Sequence, residues 1–151
     1  RWLPLSRGLG DVYKRQRLIL RFDFHRLLPE LNPDELHLAW YYPYVAHGHA
    51  PLAIASLPDQ GPLNYYFHHH CRINLHHLQS HHDIAVGSNR WQPHPQRPQL
   101  VHQGQTLVVV IPMTALPETR PQSLHLLLLL AQQGEFEANL SGDNLVQWPL
   151  H

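Results

Sequence analysis

The stretch from Leu63 to Leu75 alternates apolar and polar side chains and limits the possible folds more than any other segment. Its odd-numbered positions hold Leu, Tyr, Phe, His, Cys, Ile and Leu, and its even-numbered positions hold Asn, Tyr, His, His, Arg and Asn. Successive side chains of a strand point to opposite faces of a sheet. The pattern therefore predicts the long central strand of an antiparallel sheet, with His69 in the core and His68 and His70 on the outward face.

Several other segments show strand patterns. Arg17 to Phe24 alternates, Thr106 to Ile111 is rich in β-branched residues, and Ser123 to Ala131 is almost continuously apolar, as in a strand buried on both faces. A strand over Glu35 to Tyr44 places one alternating set inward, namely Leu36, Leu38, Trp40 and Tyr42. The 14 prolines and 8 glycines argue against long helices. We expect an all-β fold, an antiparallel β-sandwich of about seven strands with one or two short helical turns.

The first residues, 1–16, show neither strand nor helix periodicity. The segment Gly10 to Gln16 resembles the translated sequencing adapters that precede fragmentary reading frames, and a basic linker from a preceding domain is the alternative. We therefore expect residues 1–16 to be disordered and residues 17–151 to form a single β-sandwich domain.

Composition excludes some partners and favours a compartment. Lys14 is the only lysine and the formal net charge is zero, so no basic stripe for nucleic acid is visible. The longest apolar run contains His125 and is shorter than the ~20 residues of a spanning helix, which argues against a membrane partner. Cys71 is the only cysteine, so an internal disulfide is excluded and a cytoplasmic location is favoured.

The 15 histidines raise the possibility of a metal site. His68 and His70 would lie on one strand face, roughly 6.5–7 Å apart at the backbone. A zinc or nickel ion could take further ligands from the other candidates, which are His37, His47, His49, His76, His77, His81, His82 and Asp83. The alternative is a polar sheet face whose imidazoles bond to one another, to loops or to a neighbouring domain, and on that interpretation no cofactor is needed.

Aromatic residues offer a second kind of surface. By alternation Tyr41, Tyr66 and Trp91 point outward, where flat rings could pack on sugars or on another domain. Asn64 and Asn74 share the outward face with His68 and His70 and could bond sugar hydroxyls. These seven residues are the predicted carbohydrate or domain-interface residues.

No catalytic residue is predicted. A glycosidase needs two carboxyl groups across a cleft, and nothing in the sequence places Glu135 and Glu137 in one. No nucleophile elbow or phosphate-binding glycine loop is present. Cys71 belongs to the apolar set of its strand, so we expect a buried, inert thiol.

Two segments carry a resemblance to a known family. The segment from Pro62 to Leu75 resembles a region near the C-terminus of family-57 glycoside hydrolases of the bacterial α-amylase type, and Gly134 to Pro149 is similar to the way those chains end. Cys71 and Arg72 depart from the apolar-glycine pair of that family. The resemblance implies an accessory β-sandwich that follows a catalytic barrel, with the catalytic residues in the barrel.

The sequence therefore predicts a noncatalytic C-terminal fragment of an α-glucan-acting glycoside hydrolase. Its partners would be the catalytic domain of the same parent chain and α-glucan. A histidine-rich metal-binding β-domain is the alternative, and an independent enzyme is a third hypothesis.

Overall fold

The fold is described by a computed structural model for residues 17–42, 67–86, 90–112, 123–133, 135–140 and 146–149. These residues form ten strands and one 3₁₀ turn, Leu28–Glu30. The strands are β1 (Arg17–Asp23), β2 (Glu35–Tyr41), β3 (His69–Asn74), β4 (Gln79–Ala85), β5 (Trp91–Pro93), β6 (Gln99–Gln103), β7 (Thr106–Pro112), β8 (Ser123–Gln132), β9 (Glu135–Asn139) and β10 (Val146–Pro149).

The strands build two antiparallel sheets that pack face to face. The small sheet has the order β1-β7-β6, and the large sheet has the order β10-β8-β2-β3-β4-β5, with β9 also paired to β8. Both sheets contribute buried residues to one core, which confirms the predicted all-β sandwich. The described residues include more strands than the seven expected, because polar strands such as β4 and β5 lack an alternating pattern of apolar residues.

Alternation explains which residues fill the core. In β1 the buried side chains are Leu18, Leu20 and Phe22, while Arg21 is exposed. In β7 they are Leu107, Val109 and Ile111, and in β2 they are Leu36, Leu38 and Trp40. Since burial of each such side chain stabilises the fold by about 1.5–3 kcal/mol, these three strands anchor the sandwich.

Strand β8 is buried on both faces, as its continuous apolar run predicts. Leu126, Leu128 and Leu130 belong to the core between the sheets. Leu127 and Leu129 point the other way and join a second buried cluster with Ala39 and Phe67, here called the outer cluster. The large sheet therefore has an apolar surface on each side.

The predicted strand from Leu63 to Leu75 is correct only in part. Residues 63–66 lie outside the described part, and regular pairing with β2 and β4 begins at His69. The chain bends at His68, whose backbone N–H donates to the carbonyl of Trp40 over 2.9 Å. This bend shifts the alternation, so Phe67 packs in the outer cluster and the ring of His68 lies against Tyr42 of the core.

From His69 onward the alternation is as predicted. His69, Cys71, Ile73 and Leu75 are all buried, and Arg72 is exposed. The polar segment after β3 makes a hairpin, in which Leu78 has a φ of 53° and β4 returns along β3. Its polar residues do not reveal that strand, because β4 is stabilised by backbone pairing and histidine contacts rather than by apolar alternation. The adapter-like residues 1–16 lie outside the described residues.

Candidate functional site

A chain of hydrogen bonds joins two buried histidines to the segment between β5 and β6. Nδ1 of His69 lies 2.9 Å from Nε2 of His82, and Nδ1 of His82 lies 3.2 Å from the backbone carbonyl oxygen of Gln96. A carbonyl only accepts, so His82 carries its proton on Nδ1 and its Nε2 accepts from the Nδ1–H of His69. This assignment holds when both rings are neutral, and the two rings cannot both be protonated, because N–H groups on the two bonded nitrogens would then oppose each other.

Burial and neighbouring rings keep these imidazoles neutral. Burial lowers the pKa of His69 well below its usual value, and His82 adds to the effect. Burial, followed by the charge on His94, lowers the pKa of His82 to about 4. Trp40 stacks on His69 with ring centroids 4.7 Å apart, and His94 stacks on His82 at 4.8 Å. The group of Trp40, His69, His82 and His94 is called the inner histidine cluster.

His68 forms a hydrogen bond with the backbone at the end of β2. Its Nδ1 accepts a hydrogen bond of 3.0 Å from the backbone N–H of Tyr42, just beyond the last residue of that strand. Tyr42 also accepts, through its hydroxyl, a bond of 2.9 Å from Nε1–H of Trp40. The prediction that His68 faces outward is therefore wrong: only 6% of the residue is exposed, because the bend turns its ring toward the core.

His70 lies on the outer face, where the sequence predicted it, and pairs with His37. Nε2 of His70 is 2.8 Å from Nδ1 of His37, and the rings are nearly parallel. Burial, followed by His37, lowers the pKa of His70 to about 3. Burial also lowers the pKa of His37, whose buried Nε2 has no hydrogen-bond partner and lies 3.6 Å from a carboxylate oxygen of Glu35.

Two of the predicted aromatic residues flank the outer cluster. Tyr41 and Trp91 are partly buried and pack against it. The Tyr41 hydroxyl lies 2.9 Å from Nδ1 of His125, and the Trp91 ring lies 5.8 Å from that of His70. Tyr41, His70 and Trp91 are therefore brought to one face of the large sheet.

Two other predicted interface residues, Asn74 and His68, have structural hydrogen bonds elsewhere. The side-chain oxygen of Asn74 accepts bonds from the backbone N–H groups of His76 and His77, at 3.0 and 2.8 Å, and so holds the β3–β4 turn. Nδ1 of His68 accepts a hydrogen bond from the backbone at the end of β2. Asn64 and Tyr66 lie outside the described residues.

The two histidines predicted as metal ligands, His68 and His70, do not meet. His70 bonds to His37 rather than meeting His68, and Nδ1 of His68 is occupied by a backbone N–H. Within the ranges that the structure describes, no group of three or more His, Cys, Asp or Glu side chains could hold a metal ion. His47 and His49 lie outside those ranges.

The environments of Asp23 and Cys71 stabilise the fold and do not activate either group for catalysis. Asp23 accepts from the hydroxyl of Thr106 at 2.5 Å and pairs with Arg21, and both contacts lower its pKa. A carboxyl held ionised in this way is not a general acid. Cys71 is fully buried, and burial raises the pKa of its thiol well above the usual value. The side chains of Glu135 and Glu137 lie outside the description.

Sequence reasoning missed two partners, His94 and His125. Alternation along a single strand could not reveal either contact. His94 follows the three-residue strand β5, and His125 is 84 positions from its partner Tyr41. The only available signal was that histidines recur along the chain.

Comparison of the chain with models of known protein families, with curated proteins and with solved structures finds no match. Among the described residues, none belongs to a helix with the length and apolar character that membrane crossing requires.

Proposed function

We propose that residues 17–151 form a noncatalytic accessory β-sandwich of an α-glucan-acting glycoside hydrolase, packing on the catalytic domain of the parent chain and contacting α-glucan. The observation that carries the proposal is the pair of partly buried aromatic rings, Tyr41 and Trp91, on one face of the large sheet. The proposal also rests on the family resemblance of two segments, Pro62 to Leu75 and Gly134 to Pro149.

The fold is the one that the resemblance implies. Two antiparallel sheets enclose a core of aliphatic and aromatic residues. Asp23 bonds to a hydroxyl and a guanidinium group, and Asp34 accepts from the backbone N–H of Gln133. Such a domain supports binding and packing rather than bond cleavage, which needs a carboxyl with a raised pKa facing a second one.

Tyr41 and Trp91 are suited to sugar contact for a physical reason. A pyranose ring presents apolar C–H groups that pack on the flat face of an aromatic ring, while its hydroxyls need polar neighbours. Here the polar neighbours are imidazoles, since His125 lies beside Tyr41 and His70 lies beside Trp91. Both rings are backed by the buried outer cluster, which holds them in place before a ligand arrives.

Affinity electrophoresis through gels containing soluble starch tests glucan contact. The 151-residue chain should migrate more slowly with starch than without it, and Trp91→Ala and Tyr41→Ala should each remove most of the retardation. Leu27→Ala is the matched control, because Leu27 is exposed but lies between β1 and β2, away from the outer cluster. Equal mobility of the unsubstituted chain with and without starch would contradict glucan contact.

The packing role has its own test. The gene should encode a catalytic domain in the same reading frame, upstream of the codon for Arg17. A start codon immediately before that position would contradict the accessory role, whatever the starch experiment shows.

A further inference from the structure

Among the described strands, β6 is an edge strand of the small sheet and pairs only with β7. All five of its residues, Gln99 to Gln103, are exposed or partly exposed, and Val101 at its centre is 59% exposed. Of the large apolar side chains that the structure describes, only Val101 and Leu27 are exposed to this extent. An exposed strand edge carrying an apolar side chain is a template for pairing with another chain.

The backbone groups at this edge can be assigned from the neighbouring strands. The N–H of Phe24 donates to the carbonyl of Gln105 over 2.8 Å, so the odd-numbered residues of β7 bond to β1 and the even-numbered residues bond to β6. Val101 pairs with Val108 and therefore bonds to β7. Leu100 and His102 consequently direct their N–H and C=O groups away from the sheet.

Other edges in the described part of the chain are protected against pairing. Charged residues and proline blunt a sheet edge, because a charge resists burial and proline cannot donate a hydrogen bond. One or the other occurs in each remaining edge strand: Arg21 and Asp23 in β1, Pro93 in β5, Glu135 and Glu137 in β9, and Pro149 in β10. Strand β6 has neither.

We propose that β6 pairs antiparallel with β6 of a second copy of this chain, about a two-fold axis at Val101. The sequence Gln-Leu-Val-His-Gln is nearly symmetric about that residue. Antiparallel pairing sets Val101 opposite Val101, Gln99 opposite Gln103, and Leu100 opposite His102. Valine then meets valine and amides meet amides, and no like charges are opposed, because His102 lies opposite Leu100.

The hydrogen-bond pattern fits this axis. Leu100 and His102 of the two copies exchange their outward N–H and C=O groups, which makes four backbone hydrogen bonds and leaves the Val101 pair as the close, non-hydrogen-bonded pair. The two small sheets then become one six-stranded sheet with β1 at both ends. An edge of five residues buries less than the ~800 Å² per partner of a stable dimer, so the dimer dissociates on dilution.

Sedimentation velocity of the whole chain tests the proposal. The weight-average sedimentation coefficient should rise with concentration from the low micromolar to the millimolar range. Val101→Lys should weaken dimerisation roughly tenfold or more, because two ammonium groups face each other at the axis. Leu27→Lys is the matched control and should dimerise like the unsubstituted chain. A chain that stays monomeric at every concentration, or equal weakening by both variants, would overturn the proposal.

Oxidative cross-linking tests the axis itself. Close antiparallel pairs have Cα atoms about 4.5 Å apart, within the range that a disulfide spans. Val101→Cys should form a covalent dimer with mild oxidant at least tenfold faster than Leu27→Cys, and buried Cys71 should not compete. Equal rates for the two variants would refute an axis at Val101.

Discussion

The inner histidine cluster predicts that mild acid destabilises this fold. His69 and His82 are each only 2% exposed, and the hydrogen bond between them cannot form when both rings are protonated. Unfolding releases both rings to water, where a histidine binds a proton with a pKa of about 6.5. The unfolded chain therefore binds more protons than the folded chain once the pH falls below that value.

The size of the effect follows from the two pKa values. The pKa of His82 is about 4 in the folded chain. At about pH 5 the free energy of unfolding should thus fall by about 2 kcal/mol through His82 alone. Burial holds the pKa of His69 well below its usual value, so His69 lowers the free energy of unfolding further in the same direction. The contribution of His82 is already a substantial part of the roughly 5–15 kcal/mol that stabilises a typical domain.

The direction of the pKa shifts determines the pH range in which stability is lost. The pKa values of His69 and His82 are both lowered in the folded chain, so neither histidine affects stability well above the pKa of the unfolded chain. Stability is lost as the pH falls from about 6.5 toward about 4, and below the folded pKa the loss through that group stops increasing.

Urea unfolding followed by tryptophan fluorescence measures the effect. The free energy of unfolding should drop between about pH 7.5 and pH 5 by about 2 kcal/mol through His82, and further through His69 and through His70, whose pKa is about 3. In His82→Gln the amide can accept from His69 and donate to the carbonyl of Gln96, so the drop should be about 2 kcal/mol smaller than in the unsubstituted chain. His102→Gln is the control, because His102 is exposed and should leave the drop unchanged. A stability independent of pH over this range, or an unchanged drop in His82→Gln, would refute the reasoning.

Three further predictions concern the core, the thiol and a turn. Leu128→Ala removes a buried side chain from the centre of β8 and should lower the free energy of unfolding by about 2–5 kcal/mol, whereas Val101→Ala should change it by less than about 0.5 kcal/mol. Cys71 is fully buried with a raised pKa, so Ellman's reagent should react with it only in denaturant, and fast reaction of the folded chain would contradict the described core. Gly104 has a φ of 61°, so Gly104→Ala should cost about 1–2 kcal/mol in urea unfolding although its side chain would meet open space, and an unchanged midpoint would argue against the described turn.

The sequence by itself determined the fold class and the main core strands. Period-two alternation in β1 and β2 assigned Leu18, Leu20 and Trp40 to the interior, and the apolar run of β8 indicated burial on both faces. These predictions succeed because the burial of apolar side chains is large in free energy and repeats at the period of the strand. The role of the domain in a glycoside hydrolase stays a prediction.

Tertiary structure alone decided which histidines meet and which way His68 points. The bend at His68 arises because the N–H of Tyr42 and the carbonyl of Trp40 need partners where regular pairing ends, and such local bonding leaves no periodic signal. The contacts of His70 with His37, and of His69 with His82, depend on strand order and on register between β2, β3 and β4. Register brings residues together across many positions of the chain, and a pattern that reports only inward or outward orientation cannot specify it.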